Sequence, residues 1–351
     1  MTDLAPHLEG AFRILAYVAR TLGHMLLSPS SDLFVGSLLS ALLIAALWLA
    51  RRHAVSGLPI RAKALARLLF PRRWVAARSA QLDLKLMLLN ALVFGVVLAG
   101  AIVSHQMISG GTKVLLSAGF GASTPSGLSD FAGAALLTVA LFLAYELAYW
   151  VYHYLSHTVP ALWEMHKVHH SAEVLTPLTN SRVHPIEGIL FLNTLAIFLG
   201  VTDGTLTYLL GQPVKQFSLA NVNLIVVVFT YLLAHLHHTH VWIAFTGPLG
   251  RIFISPAHHQ IHHSTNPIHW NKNMGSVLAI WDWLFGTLHV PTRQRERLTF
   301  GLGDGEVTEH SVTQELLRPV NALVALATTP VRGSSSNGPE PATGLSLEGK
   351  A

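Results

Sequence analysis

Cysteine is absent from all 351 residues, which excludes a disulfide framework, a thiolate metal site and a cysteine nucleophile. Charge is scarce too. Asp, Glu, Lys and Arg make up 12% of the chain, against roughly 25% in an ordinary soluble domain. With 51% hydrophobic residues and a mean hydropathy of +0.46, that deficit points to a membrane protein before any segment is inspected. The opening residues, MTDLAPHLEG, lack a basic leader and a small-residue cleavage site, so no cleaved signal peptide is expected. Acid is also missing locally: Arg51, Arg52, Arg61, Lys63, Arg67, Arg72, Arg73 and Arg78 share a stretch without Asp or Glu. Nucleic-acid patches use such runs, but a basic segment between two apolar ones is better explained by the positive-inside rule. No nucleic-acid partner is expected.

What the chain has is apolar runs and histidine. A helix needs about 17–25 apolar residues to cross a bilayer, and residues 33–50, 82–104 and 131–152 are the clearest candidates. Residues 189–210 and 218–236 are less tidy. Asp203 interrupts the former and Asn221 and Asn223 sit in the latter, so a bent or partly buried hairpin is expected there. Residues 11–27 carry Arg13 and Arg20 among apolar neighbours, a pattern suited to an interfacial helix. If the basic stretch is cytoplasmic, alternating crossings place residues 153–188 and everything from His240 onward on that same side. The expected fold is an all-α integral membrane protein: a transmembrane helical bundle under a cytoplasmic helical cap with a histidine-rich two-metal site.

Fifteen of the 21 histidines lie between His153 and His269. His153 and His157 are spaced i, i+4, and His235 and His238 i, i+3. HKVHHS (His166, His169, His170) and HQIHHS (His259, His262, His263) write the same triplet twice. On a helix each set shares one face, with Cβ atoms roughly 5–6 Å apart, close enough for imidazoles to converge on one ion through bonds of about 2 Å. These ten histidines exceed what one ion accepts, so two ions with about five ligands each is the economical reading. Imidazole suits iron, copper, nickel and zinc, and a redox pair beside a membrane is equipped to activate dioxygen. A zinc-dependent membrane hydrolase is the first competitor, yet its His-Glu-x-x-His signature is not present. A non-enzymatic metal transporter or haem-binding membrane protein is the second. A transporter would place ionisable residues near mid-bilayer, whereas these clusters fall at span ends and in loops. His7, His24, His53, His105 and His310 are isolated and read as interfacial or structural. Trp150, Trp163, Trp281 and Trp283 read as interfacial anchors and core.

A ligating imidazole usually gives its other N–H to a carboxylate or carbonyl. Glu146, Asp282, Glu187 and His184 are the candidates for that supporting role, with a buried ion pair or helix cap as the alternative for the carboxylates and a plain structural role for His184.

The run ELAYWVYHYLSHTVPALWEMHKVHHS, then RVHPIE, HHTHV, SPAHHQIHHS, NKNMG and WDWLFGT, resembles the fatty acid hydroxylase superfamily of sterol desaturases, methyl sterol oxidases and alkylglycerol monooxygenase. The likeness covers residues 131–287, with a looser match over 302–312. Glu146 stands where the family usually has Asp, Tyr154 where it has Arg, and His240 where it has Asn. The resemblance implies two iron ions, for which zinc can substitute in a purified sample, with dioxygen as co-substrate. It also implies hydroxylation or desaturation of a lipid or sterol-like C–H bond. His238 occupies the family's histidine in HLHHTH, with His235, His237 and His240 as further candidates there. Electrons are expected from a separate ferredoxin or cytochrome b5-like donor. The expected organisation is an N-terminal membrane region (1–130), a catalytic domain (131–312) and a disordered tail (331–351).

Overall fold

Proline placement sets where the helices around the histidines begin. The computed structural model describes residues 5–31, 33–57, 61–94, 99–303 and 310–328. Within them the chain is mostly helical: α1 (Ala5–Leu27), α2 (Val35–Val55), α3 (Ala62–Leu69), α4 (Arg73–Ala76), α5 (Arg78–Leu89), α6 (His105–Phe120), α7 (Asp130–Thr158), α8 (Pro160–His170), α9 (Pro185–Leu210), α10 (Leu224–Phe229), α11 (His235–His237), α12 (Gly247–Ile252), α13 (Pro256–His262), α14 (Ile280–Phe285) and α15 (Val312–Thr328). The expected tail at 331–351 lies outside the described residues.

Three of these boundaries repeat one device. Val159-Pro160, His184-Pro185 and Ser255-Pro256 each place an extended residue before a proline that opens the next helix. Proline disfavours the helical region for its predecessor and is pre-organised for the first helical position. α7 therefore stops at Thr158 and α8 turns back against it, so His153 and His157 meet His166 and His170. Ser255 caps α13 through the backbone N–H of His258.

Among the described residues, three helices are long and apolar enough to cross a membrane: α2 (21 residues), α7 (29 residues) and α9 (26 residues). α2 shows the inverted amphipathy of such helices. Ser37, Ala41 and Ala45 form its buried stripe, while Leu39, Leu43 and Leu47 are exposed. Small residues facing neighbours and leucines facing outward suit a lipid surround.

Of the expected span at 82–104, residues 95–98 lie outside the described residues. α5 ends at Leu89, a π-helical turn follows over Asn90–Phe94, and a 3-10 turn occupies Ala99–Ala101. Its polar residues serve buried partners: Asp83 Oδ1 accepts from Arg182 Nη1 at 2.9 Å, and Asn90 Nδ2 donates to the Val183 carbonyl at 2.9 Å. Arg182, fully buried, also donates through Nε to the Val168 carbonyl (2.8 Å) and through Nη2 to Ser171 Oγ (2.6 Å), with Glu315 Oε1 at 3.6 Å. This one side chain ties α5 and α15 to the end of α8.

α9 is likewise unbroken at Asp203. Asp203 Oδ2 accepts from Ser109 Oγ at 2.6 Å, with His105 Nε2 at 3.7 Å, so its partners sit on α6, a helix absent from the sequence-based expectation. Gly200 and Gly204 make that approach close. A Cβ on Gly200 would stand 2.7 Å from Ile108 Cγ2, and one on Gly204 would stand 2.7 Å from Thr112 Cβ. The segment 218–236 begins as a short hairpin, Ser218–Leu219 against Val222–Asn223. Ala220 and Asn221 take positive φ at its turn, the conformation of a two-residue hairpin loop. Asn223 then caps α10 by accepting from Ile225 N, and a π turn over Thr230–Ala234 leads into α11.

Overpacking a close helix contact costs about 1–3 kcal/mol. Gly204→Leu should therefore lower the thermal unfolding midpoint in detergent, whereas Gly188→Leu, whose Cβ would meet nothing within 4 Å, should leave it nearly unchanged.

Candidate two-metal centre

Nine buried or half-buried histidines meet where the C-terminal turns of α7, all of α8, the exit from α11 and α13 come together. They fall into two groups. His153, His157, His166, His170 and His262 form one, and His169, His238, His259 and His263 the other; in each group one ligand atom per residue lies within 4.8 Å of all the others. The groups adjoin, the ring centroids of His170 and His263 being 4.6 Å apart.

The geometry explains the repeated triplet. In HKVHHS the i, i+4 pair His166 and His170 enters the first group and the intervening His169 enters the second. In HQIHHS the assignment is reversed: His259 and His263 join the second group and His262 the first. A third histidine one residue before the end of each pair lies roughly 100° round the helix from it, so each short helix serves both groups at once.

The donor atoms fit metal. In the first group Nε2 of all five imidazoles is buried without a hydrogen-bond partner. An unmet buried polar group costs about 1–3 kcal/mol, which makes five together untenable unless something shares them. The opposite nitrogens of three are held: His153 Nδ1 donates to the Met274 carbonyl at 2.8 Å, His262 Nδ1 to the Lys272 carbonyl at 2.8 Å, and His166 Nδ1 to Glu187 Oε1 at 2.5 Å. That leaves each Nε2 unprotonated and turned inward, the arrangement of a ligating histidine.

In the second group His238 Nε2 lies 2.8 Å from His259 Nε2, 3.1 Å from His263 Nε2 and 3.3 Å from His169 Nε2. One ring nitrogen offers a single in-plane lone pair or N–H, so it cannot satisfy three neighbours. Nitrogens sharing one ion through bonds of about 2 Å stand roughly 3 Å apart, which this cluster matches. Burial also holds the imidazoles neutral, the form that coordinates. Desolvation pushes His166 down to about 3 and lowers His169, His170, His238, His259, His262 and His263 well below their usual range, with repulsion from neighbouring imidazoles as the next cause for these six.

The other candidates lie apart. His235 is outside both groups, its Nε2 hydrogen-bonded to Ser37 Oγ at 2.9 Å. His240 Nε2 donates to the Leu68 carbonyl. His237 stacks on His259 with ring centroids 5.2 Å apart. His184 Nδ1 caps α9 by accepting from Ile186 N, and Nε2 donates to the Leu316 carbonyl, so it holds no imidazole. Glu146 Oε2 accepts from Val277 N (2.9 Å) and Leu278 N (2.8 Å). Asp282 accepts from Met274 N and Gly275 N, both at 2.8 Å, from Thr287 Oγ1 at 2.5 Å and from Trp150 Nε1 at 3.2 Å. Burial raises the Asp282 carboxyl above its usual range, and these four hydrogen bonds oppose that rise. Both carboxylates thus brace the loop whose Met274 carbonyl orients His153, one link further from the imidazoles than the sequence suggested. Glu187 alone touches one directly. The Met274 and Lys272 carbonyls carry no side-chain signal in the sequence.

A cavity of about 620 Å³ opens against the histidines, lined by Tyr149 of α7, Phe191 of α9 and Phe229 of α10 together with His153, His166, His169, His238 and His259. Removing an outer partner of a metal-bound histidine weakens metal affinity about 10–100-fold. Glu187→Gln is expected to show that loss in chelator competition, and unchanged affinity would exclude Glu187 from orienting His166.

The family model described as fatty acid hydroxylase matches residues 138–287. Ornithine lipid hydroxylase OlsE of Rhizobium tropici is 32% identical over 208 residues, covering 54% of this chain and 57% of the relative. Alkylglycerol monooxygenase of Homo sapiens is 31% identical and that of Danio rerio 29%, each over 161 residues that make up 46% of this chain and 32% of the relative. The chain therefore spans between a third and somewhat over half of the curated relatives it matches. No solved structure matches it significantly. All nine grouped histidines lie within the matched residues, and it is through this region, residues 138–287, that the chain is similar to the fatty acid hydroxylase family.

Proposed function

We propose that the chain is a membrane-bound, dioxygen-dependent lipid hydroxylase whose two histidine groups hold a pair of iron ions. The observation that carries this reading is the convergence of groups of five and four imidazoles, the Nε2 atoms of the first without protein partners, beside a cavity that histidines of both groups line. The proposed ligands are His153, His157, His166, His170 and His262 for one ion and His169, His238, His259 and His263 for the other. His235, expected from the sequence as a tenth ligand, is assigned to Ser37 instead.

Bound there, iron would supply the redox chemistry that activates dioxygen. The residues do the rest. The apolar walls take up an acyl or similarly reduced chain and exclude water, and Tyr149, Phe191 and Phe229 direct one carbon toward the histidines. Met274, Lys272 and Glu187 keep the ring orientations fixed, and catalysis depends on placement at that scale. Inserting one oxygen atom into a C–H bond and releasing the other as water consumes two electrons and two protons. The chain is therefore assigned a separate donor, a ferredoxin or cytochrome b5-like protein. Hydroxylation is favoured over desaturation because the relatives' names are those of a hydroxylase and a monooxygenase. Zinc would occupy the same nitrogens without redox capacity, and a hydrolase needs far fewer ligands than nine.

The cytoplasmic side is proposed for the centre. His240, two residues from His238, bonds the Leu68 carbonyl and packs on Trp74 at 5.2 Å, so the acid-free basic stretch lies beside the histidine end of the bundle. Basic segments of this kind stay cytoplasmic.

Lipid mass spectrometry of cells with and without the chain, grown under isotopically labelled dioxygen, tests the reaction. One lipid class should gain one labelled oxygen atom, and loss of two hydrogens without oxygen gain would instead indicate desaturation. His169→Ala and His262→Ala, one from each group, should each abolish the product while the protein still inserts in the membrane. Retained product in either variant would remove that histidine from the site.

A further inference from the structure

A third cluster of ligand-type side chains lies outside both histidine groups. His269, His289 and Glu296 each offer one ligand atom within 4.8 Å of the others. His269 is 2% exposed, yet neither of its ring nitrogens makes a hydrogen bond. Its Nε2 stands 3.5 Å from Glu296 Oε2, and its ring centroid lies 5.1 Å from that of His289. An ion pair with Glu296 would use one nitrogen, leave the other buried and unmet, and give His289 no part.

We propose that His269, His289 and Glu296 form a mononuclear binding site for a divalent transition ion of the zinc class, separate from the nine-histidine centre. Two imidazoles and one carboxylate are a standard three-ligand set for zinc, with a fourth position left for water. The backbone holds the three residues in place before any ion arrives. Asn273 accepts from His289 N at 2.8 Å and donates to the His289 carbonyl at 3.0 Å. Thr265 N donates to the Thr299 carbonyl at 2.9 Å, bringing the segment that carries Glu296 alongside the turn that carries His269. That turn also contains Lys272, whose N–H donates to the His269 carbonyl and whose own carbonyl receives His262 Nδ1. An ion here would clasp the loops that keep His262 oriented.

The test counts metal in the full chain in detergent, loaded with Zn²⁺ and desalted into metal-free buffer. Wild type should retain one zinc equivalent more than Glu296→Gln and than His289→Ala. The same one-equivalent difference should persist in a His169→Ala/His262→Ala background, where the main centre is disabled, so the outcome does not depend on the proposed hydroxylase. Glu296 is 30% exposed and its amide variant should fold, which keeps the test open should His269→Ala fail to fold. Equal zinc content in wild type and Glu296→Gln, or loss of the extra equivalent on desalting wild type, would overturn the site.

Discussion

Burying nine imidazoles side by side is the constraint to which the rest of the structure answers. Each brings two polar nitrogens out of water, and five Nε2 atoms of one group have no partner in the protein. A core built this way is stable only when shared positive charge is supplied at its centre and when the outward nitrogens are fixed. The first condition is the proposed metal pair. The second accounts for much of the surrounding architecture, from the loop over residues 271–279 to the placement of Glu187 at the start of α9.

That support is layered. Asp282 and Glu146 grip backbone N–H groups from Met274 to Leu278, the Met274 carbonyl grips His153, and the imidazole faces inward. Arg182 does comparable work on the other side. It binds the Val168 carbonyl immediately before His169 and neutralises Asp83 and Glu315 from two other helices. Buried charge is costly unless paired and hydrogen-bonded, so these residues fix where α8 ends more firmly than apolar packing alone would.

Much of the site was legible in the sequence because metal chemistry demands unusual residues at helical spacings. The triplets, the histidine pair on α7 and His238 stood out on those grounds. What could not be read was the division between groups, which depends on how α8 and α13 face each other across α7. Equally hidden were the carbonyls of Lys272 and Met274, since every residue has one. His235 had the right spacing but turns to Ser37. In the membrane region, Asp203 looked like a flaw in an apolar span, whereas it answers Ser109 and His105. α6 carries Gly110 and Gly111, poor helix formers, and its anchor, the Gly200/Gly204 pair, matters only once another helix is there to approach it.

The most direct measurement is anomalous diffraction at the iron edge from crystals of the chain produced in iron-replete cells. Two peaks are predicted, one enclosed by His153, His157, His166, His170 and His262 and the other by His169, His238, His259 and His263. A single peak, or none among these nine residues in protein that hydroxylates its lipid, would contradict the account.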